Sequence, residues 1–272
     1  MNEIAVLADS LKQQIASRFG KAAPFYEENA EVQRKVANRL IASLEPWKDI
    51  LPSGPIIELG CGTGFVTEGL LNLYEDEVRD IQVTDLSEKM VDFCLQKFKG
   101  HDNLSFRVQD AEEAPPVDEP YYGMAISGFT AQWFKDPAQT LARWLEATKP
   151  GGLLLVSFPG EESFPEWREK CQELGLPFTG NELPDVEEMV VKMSLGPSQL
   201  DYYEDTITQT FDDARDFFRN IKRVGASTQK QGRSLSPLEF SMLVDHWNSS
   251  TDGKIKVSYH VAFLAVKRDY DS

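Results

Sequence analysis

The sequence predicts an α/β fold: a mostly parallel sheet with helices on both faces. Three observations predict it. From about residue 55 to 158, short apolar runs alternate with helix-like segments. The first run, Pro55-Ile56-Ile57, leads into a glycine-rich turn, Glu58-Leu-Gly60-Cys-Gly62-Thr-Gly64-Phe65. A later tail breaks the alternation and ends in a long strand, which suggests an antiparallel edge on the parallel sheet.

The elements follow in order. Residues 3–45 read as two helices, broken near Gly20 and Pro24. Residues 46–54 form a linker rich in turn formers. Ile56 and Ile57 are the first strand, with its helix over 66–73. The second strand is 81–84, and Ser87 is the expected N-cap of a helix through Phe98. Residues 104–108 alternate polar and apolar as a third strand, and 123–127 form the fourth. Asp136 caps a helix with Pro137 at its first position, running to about Thr148. Pro150-Gly151-Gly152 turns into the strongly apolar strand 153–158. In the tail, 164–174 and 184–193 read as helices, 200–210 as a strand, 212–224 and 237–247 as helices, and 254–267 as the closing strand.

At 272 residues, 41% of them apolar, the chain fits one large domain or two small ones with an ample core. The cysteines Cys61, Cys94 and Cys171 form no C-x-x-C pair and are odd in number. That argues against a disulfide framework or a zinc site and suits a reducing cytoplasm. No apolar run reaches the ~18 residues of a membrane span, and the N-terminus lacks signal-peptide character. The net charge of −16 disfavours nonspecific binding to nucleic acid or anionic membranes.

The glycine turn carries the chemistry. Three glycines in five residues at a strand exit let a ligand approach the backbone closely. Asp85 ends the next strand, where a carboxylate about 20 residues past the glycines grips ribose hydroxyls. The spacing is G-x-G-x-G, not the dinucleotide G-x-G-x-x-G, and no lysine or arginine lies between Gly54 and Arg79. Glu58 at the head of the loop repels a pyrophosphate but suits a positively charged ligand. S-adenosylmethionine carries a sulfonium and an ammonium and no phosphate. The bland alternative is an ordinary strand-to-helix turn.

The loop, Asp85 and the tail together resemble the class I S-adenosylmethionine-dependent methyltransferases. That resemblance implies a Rossmann-like fold: a seven-stranded, mostly parallel sheet with an antiparallel last strand, an N-terminal helical lid and helical insertions after strand five. Three further stretches are similar to the malonyl-acyl-carrier-protein O-methyltransferase family of biotin synthesis. Ser17-Arg-Phe-Gly-Lys-Ala-Ala-Pro-Phe-Tyr26, with Ala30 and Gln33, resembles its N-terminal motif. Ser127-Gly-Phe-Thr-Ala-Gln132-Trp133 resembles its S-N-x-A-x-Q-W motif, with Gly128 and Thr130 departing from the pattern. Phe218-Arg-Asn-Ile-Lys222-Arg-Val-Gly225-Ala226, followed by Gly232-Arg233, resembles its L-x-x-x-K-x-x-G-A element, and the closing Ser258–Lys267 segment also fits. The expected organisation is one domain: a lid over 1–45, a cofactor half over 51–158 and a substrate side over 159–272.

The resemblance assigns roles. Glu58, Gly60, Gly62 and Gly64 shape the methionine end of the cofactor site. Asp85 and Leu86 meet the ribose and one adenine face, Asp110 and Ala111 the adenine edge, and Ser127 stands beside them. Tyr26, Gln132 and Trp133 are the expected catalytic positions; Tyr26 either orients substrate or packs on the lid, and Trp133 serves either there or as core. Arg18, Arg168 and Lys222 are the candidates for a substrate carboxylate, since basic groups pair with carboxylates, arginine bidentately; each is otherwise a surface charge. A malonyl carboxylate is already ionised near pH 7, so no general base is needed. Arg215, Arg219, Lys222, Arg223, Lys230 and Arg233 oppose the single acid Asp216, a basic strip on an acidic chain. Acyl carrier proteins are acidic, so the strip is their expected docking surface, or else a solvated helix face. The rival functions are a methyltransferase for an aconitate-like acid or a quinone precursor, and a cofactor-binding protein without catalysis.

Overall fold

The computed structural model describes residues 3–77, 79–113, 115, 118–229 and 233–270. Lys230 and Gly232 lie outside these. The described residues form a seven-stranded sheet: β1 (Ile56–Leu59), β2 (Ile81–Asp85), β3 (Leu104–Val108), β4 (Tyr122–Gly128), β5 (Thr148–Pro159), β6 (Ser198–Phe211) and β7 (Ile255–Arg268). Their spatial order is β3-β2-β1-β4-β5-β7-β6, and β7 alone runs antiparallel to its neighbours.

Burial explains this order. All four residues of β1 are buried, as are Val257 and Tyr259–Val266 in β7, so both strands need neighbours and covering layers. Successive side chains serve opposite faces. Ile56, Val83, Met124, Leu153 and Phe263 join one core, and Ile57, Leu59, Ala125, Leu154 and Leu264 the other. The antiparallel strand therefore does not form the edge expected from the sequence. It lies between β5 and β6, and the largely exposed β6 takes the edge.

The helices are α1 (Glu3–Asn29), α2 (Glu31–Leu44), α3 (Phe65–Leu73), α4 (Glu88–Lys97), α5 (Pro137–Glu146), α6 (Pro165–Glu173), α7 (Val186–Met193), α8 (Ala214–Arg223) and α9 (Pro237–Ser249). The expected break near Gly20 and Pro24 is absent: α1 passes through both, and the chain turns at Ala30 instead. Gly20 serves packing. A Cβ there would stand 2.9 Å from Ser87 Oγ and 3.2 Å from Lys89 Cβ, so glycine lets α1 lie close to α4. The Ser87 side chain makes no capping bond; its N–H instead donates to Asp85 Oδ1 at 2.8 Å. Asp136 caps α5 as expected, accepting from Gln139 N–H at 3.0 Å. The cysteines are free thiols, and no described helix is long and apolar enough to cross a membrane.

Gly225, just past α8, sits at φ +76°, and a Cβ there would come within 2.9 Å of Phe19 Cα. Gly225→Ala combines left-handed strain with a backbone clash, for an expected loss of about 1–3 kcal/mol. Thermal melting should show that loss, and limited proteolysis should show α1 released. Unchanged proteolysis would mean that this contact does not hold the helix.

Candidate active site

The strand connections reverse direction between β1 and β4, and crevices in such sheets open at the carboxyl ends of the strands there. The glycine turn leaves β1 at that point. Gly60, Gly62 and Gly64 take φ values of +75°, +55° and +89°, a left-handed path that favours glycine. A Cβ on Gly60 would stand 2.2 Å from Thr130 Oγ1, whereas Gly62 faces open space.

A cavity of about 1000 Å³ lies beneath this turn. Glu58, Gly60, Gly62, Asp85, Leu86, Asp110 and Ala111 all line it. Gly64 and Ser127 do not: a Cβ on Gly64 would strike Phe98, and Ser127 Oγ donates to Leu59 O at 2.9 Å inside the core. Both support the turn from behind.

Two carboxyls face the cavity at the glycine turn, Glu58 buried and Asp85 half-buried. Glu58 accepts a 2.5 Å hydrogen bond from Thr67 Oγ1. Burial pushes its pKa up to about 7, against the pull of Thr67 and helped by the nearby charge of Asp85. Asp85 accepts from Gly62 N–H at 2.9 Å and from Ser87 N–H at 2.8 Å. Burial still lifts it to about 6. Thr63 Oγ1 and Gln109 Oε1 also line the cavity, buried and without a hydrogen-bond partner among the described residues. Neither announced itself in the sequence: Thr63 was simply an x of the glycine pattern, and Gln109 a neighbour of Asp110. At the far end Lys12 of α1 bonds Asp110 Oδ2 at 2.5 Å and Glu112 Oε2 at 2.9 Å. Burial alone would lower the Lys12 pKa, but those two bonds outweigh it and raise it.

A second cavity of about 1600 Å³ adjoins the first. Phe19, Tyr26, Gln33, Phe129 and Trp133 line both and form the partition. Beyond it the walls are largely aromatic, from Phe164, Trp167, Phe218, Phe240 and Tyr259. Lys222 is the charged residue on this wall among the described residues. Phe129 and Phe164 hold positive φ, +56° and +64°, an uncommon backbone for such side chains that clusters at functional sites. Gln132 lines the second cavity and donates through Nε2 to Phe129 O at 2.7 Å, which holds that strained turn in place.

The expected basic residues separate. Lys222 reaches the second cavity. Arg18 instead donates to the Ser227 carbonyl and, at 3.0 Å, to Ser227 Oγ, tying α1 to the loop after α8. Arg168 lines neither cavity; it donates to Glu161 O at 3.2 Å and stacks 4.0 Å over Phe178.

A model of the methyltransferase domain matches residues 57–156. A malonyl-acyl-carrier-protein O-methyltransferase of Priestia megaterium is 30% identical, over 94% of this chain and 98% of that protein. A biotin biosynthesis bifunctional protein of Teredinibacter turnerae is 27% identical, over 96% of this chain and 47% of its own length. The solved YcgJ protein from Bacillus subtilis superposes with a TM-score of 0.58 at 14% identity, over 85% of this chain and 98% of that one, a likeness of fold.

Proposed function

The chain belongs to the malonyl-acyl-carrier-protein O-methyltransferase family, and from that premise we propose that it methylates the free carboxylate of a malonyl thioester at the partition between its two cavities, in biotin synthesis. The observation that carries this reading is the partition itself. One chamber has the glycine turn with Glu58 and Asp85, the other is largely aromatic, and they meet at Tyr26, Phe129 and Trp133.

The first chamber fits S-adenosylmethionine. Glu58, with the unpartnered hydroxyl of Thr63 nearby, suits the cationic methionine end, Asp85 the ribose, and Leu86, Gln109, Asp110 and Ala111 the adenine. When bound, that cofactor would supply an electrophilic methyl on sulfur for a carboxylate oxygen to take, the C–S pair leaving with sulfur, so that no side chain here need move a proton. The protein's part is to hold, orient and dry. The aromatic walls exclude water from the acceptor, which keeps a carboxylate oxygen reactive. Tyr26 and Trp133 confine the acceptor at the partition, and Gln132 positions the Phe129 turn. Lys222 draws the acidic substrate toward the chamber.

The methyl acceptor rides on an acyl carrier protein, and the docking face we assign is the exposed side of α8, with Arg215, Arg219, Lys222 and Arg223. Reversing Arg219 and Arg223 to glutamate should raise KM for the carrier-linked substrate about tenfold or more. An unchanged KM overturns the docking face. Labelled cofactor incubated with malonyl-carrier protein, free aconitate-like acids and quinone precursors tests the reaction. A malonyl methyl ester identified by mass is expected; turnover of only another acceptor, or cofactor binding without turnover, overturns it.

A further inference from the structure

A groove between α1 and α8 opens beside the second cavity. Arg18, Lys21, Lys222 and Arg223 line it, with Glu28 the one acid and the exposed Phe25 alongside. Among the described residues no carboxylate forms an ion pair with any of these four cations, although the chain carries a net −16. Convergent like charges are costly unless an anion joins them. Lys222 lines both the groove and the aromatic cavity, so an anion held here stands at the cavity mouth. Inside that mouth Thr228 is buried, its Oγ1 has no partner among the described residues, and its carbonyl accepts from Asn181 Nδ2 at 2.7 Å. A buried hydroxyl of this kind awaits a polar group on a ligand.

We propose that the groove is a phosphate site for the phosphodiester of a pantetheinyl thioester, with the arm threading past Thr228 to the partition. The cations take the phosphate, the Thr228 hydroxyl meets an amide of the arm, and the aromatic walls pack its methylenes. This gives the aromatic walls beyond the partition an occupant longer than a three-carbon acyl group. It rests on the malonyl-thioester reading and adds the part of the substrate recognised outside the acyl group.

The test is calorimetry on the protein loaded with S-adenosylhomocysteine. Wild type should bind 4′-phosphopantetheine about tenfold or more tighter than pantetheine, since charge-assisted bonds to phosphate are worth that much. In Lys21→Ala/Arg223→Ala the ratio should collapse toward one. Equal binding by wild type, or a ratio that survives the double substitution, overturns the site. Turnover of the Lys21→Ala single variant, a position outside the α8 docking face, separates protein docking from phosphate binding: kcat/KM should fall alike for malonyl-coenzyme A and malonyl-carrier protein, and a fall confined to the carrier protein also overturns it. If wild type methylates no malonyl thioester, the acceptor reading fails by itself, and the binding ratio still decides the phosphate site.

Discussion

Glu58→Gln is expected to make the cofactor-free protein more stable at about pH 8 and, at the same pH, to weaken S-adenosylmethionine binding about a hundredfold. Glu58 is almost wholly buried, and its folded pKa of about 7 stands well above its ordinary value of 4.5. The folded state therefore holds a proton that the unfolded chain releases. Stability from that proton is complete below about pH 4.5 and is lost as pH rises through about 7. At pH 8 the ionised group costs roughly 3 kcal/mol, which glutamine avoids while still bonding Thr67. A melting temperature higher by roughly 5 °C or more should result, and the gain should shrink as pH falls below about 7 and vanish below about pH 4.5, where Glu58 is protonated in both states. Cofactor binding runs the other way, because a cation at the methionine end needs the carboxylate ionised. Wild-type affinity should rise with pH toward about 7, with a second rise near 6 from Asp85. In the variant only the Asp85 step should remain. Melting curves with and without ligand, taken across this range, carry both signs. A variant that melts no higher at pH 8, or that binds the cofactor as wild type does, sinks the assignment of Glu58 to the ligand's cation.

What could be read in advance follows from how local each signal is. The strands β1 to β5 and their helices were readable because apolar runs, Asp136 and the glycines act within a few residues. Asp85 was readable because its distance from the glycine turn is set by one strand–helix–strand unit. Gly20 and Pro24 suggest a break because local sequence shows only glycine's backbone freedom, whereas the close approach of Ser87 and Lys89 at the start of α4 sets the role of Gly20. The place of β7 inside the sheet depended on long-range pairing with β5 and β6, which no local pattern encodes. Arg168 carries the right charge but faces the Glu161 carbonyl and the Phe178 ring, and a side chain's direction is a tertiary fact. The departures at Gly128 and Thr130 become intelligible in space. A Cβ on Gly128 would stand 3.0 Å from Val66 Cγ2, and Thr130 fills the space above Gly60. Phe129 gave no signal at all, since its positive φ is imposed by the turn that Gln132 braces.

Tyr26→Phe is expected to lower kcat about tenfold to a hundredfold while leaving the shape of the pH profile unchanged. Tyr26 lines both cavities, and its ring lies 6.1 Å from that of Phe65. Burial, helped by the charge of Asp85, pushes its phenol above its ordinary value. The O–H therefore persists through the neutral range, and the group acts there as a donor and not as a base. The acceptor needs no base, since free carboxyls ionise near pH 4. One hydrogen bond to a charged oxygen is worth about 1.5–3 kcal/mol, hence the expected factor. Phenylalanine keeps the ring packing, so cofactor affinity should shift by less than about threefold. Three results are possible and distinct. The same kcat in the variant makes Tyr26 a wall of the partition only. Loss of a titrating limb makes it a base and contradicts its elevated pKa. A lower kcat with an unaltered profile is what an oriented carboxylate oxygen, held in line by a neutral donor in a dry chamber, predicts.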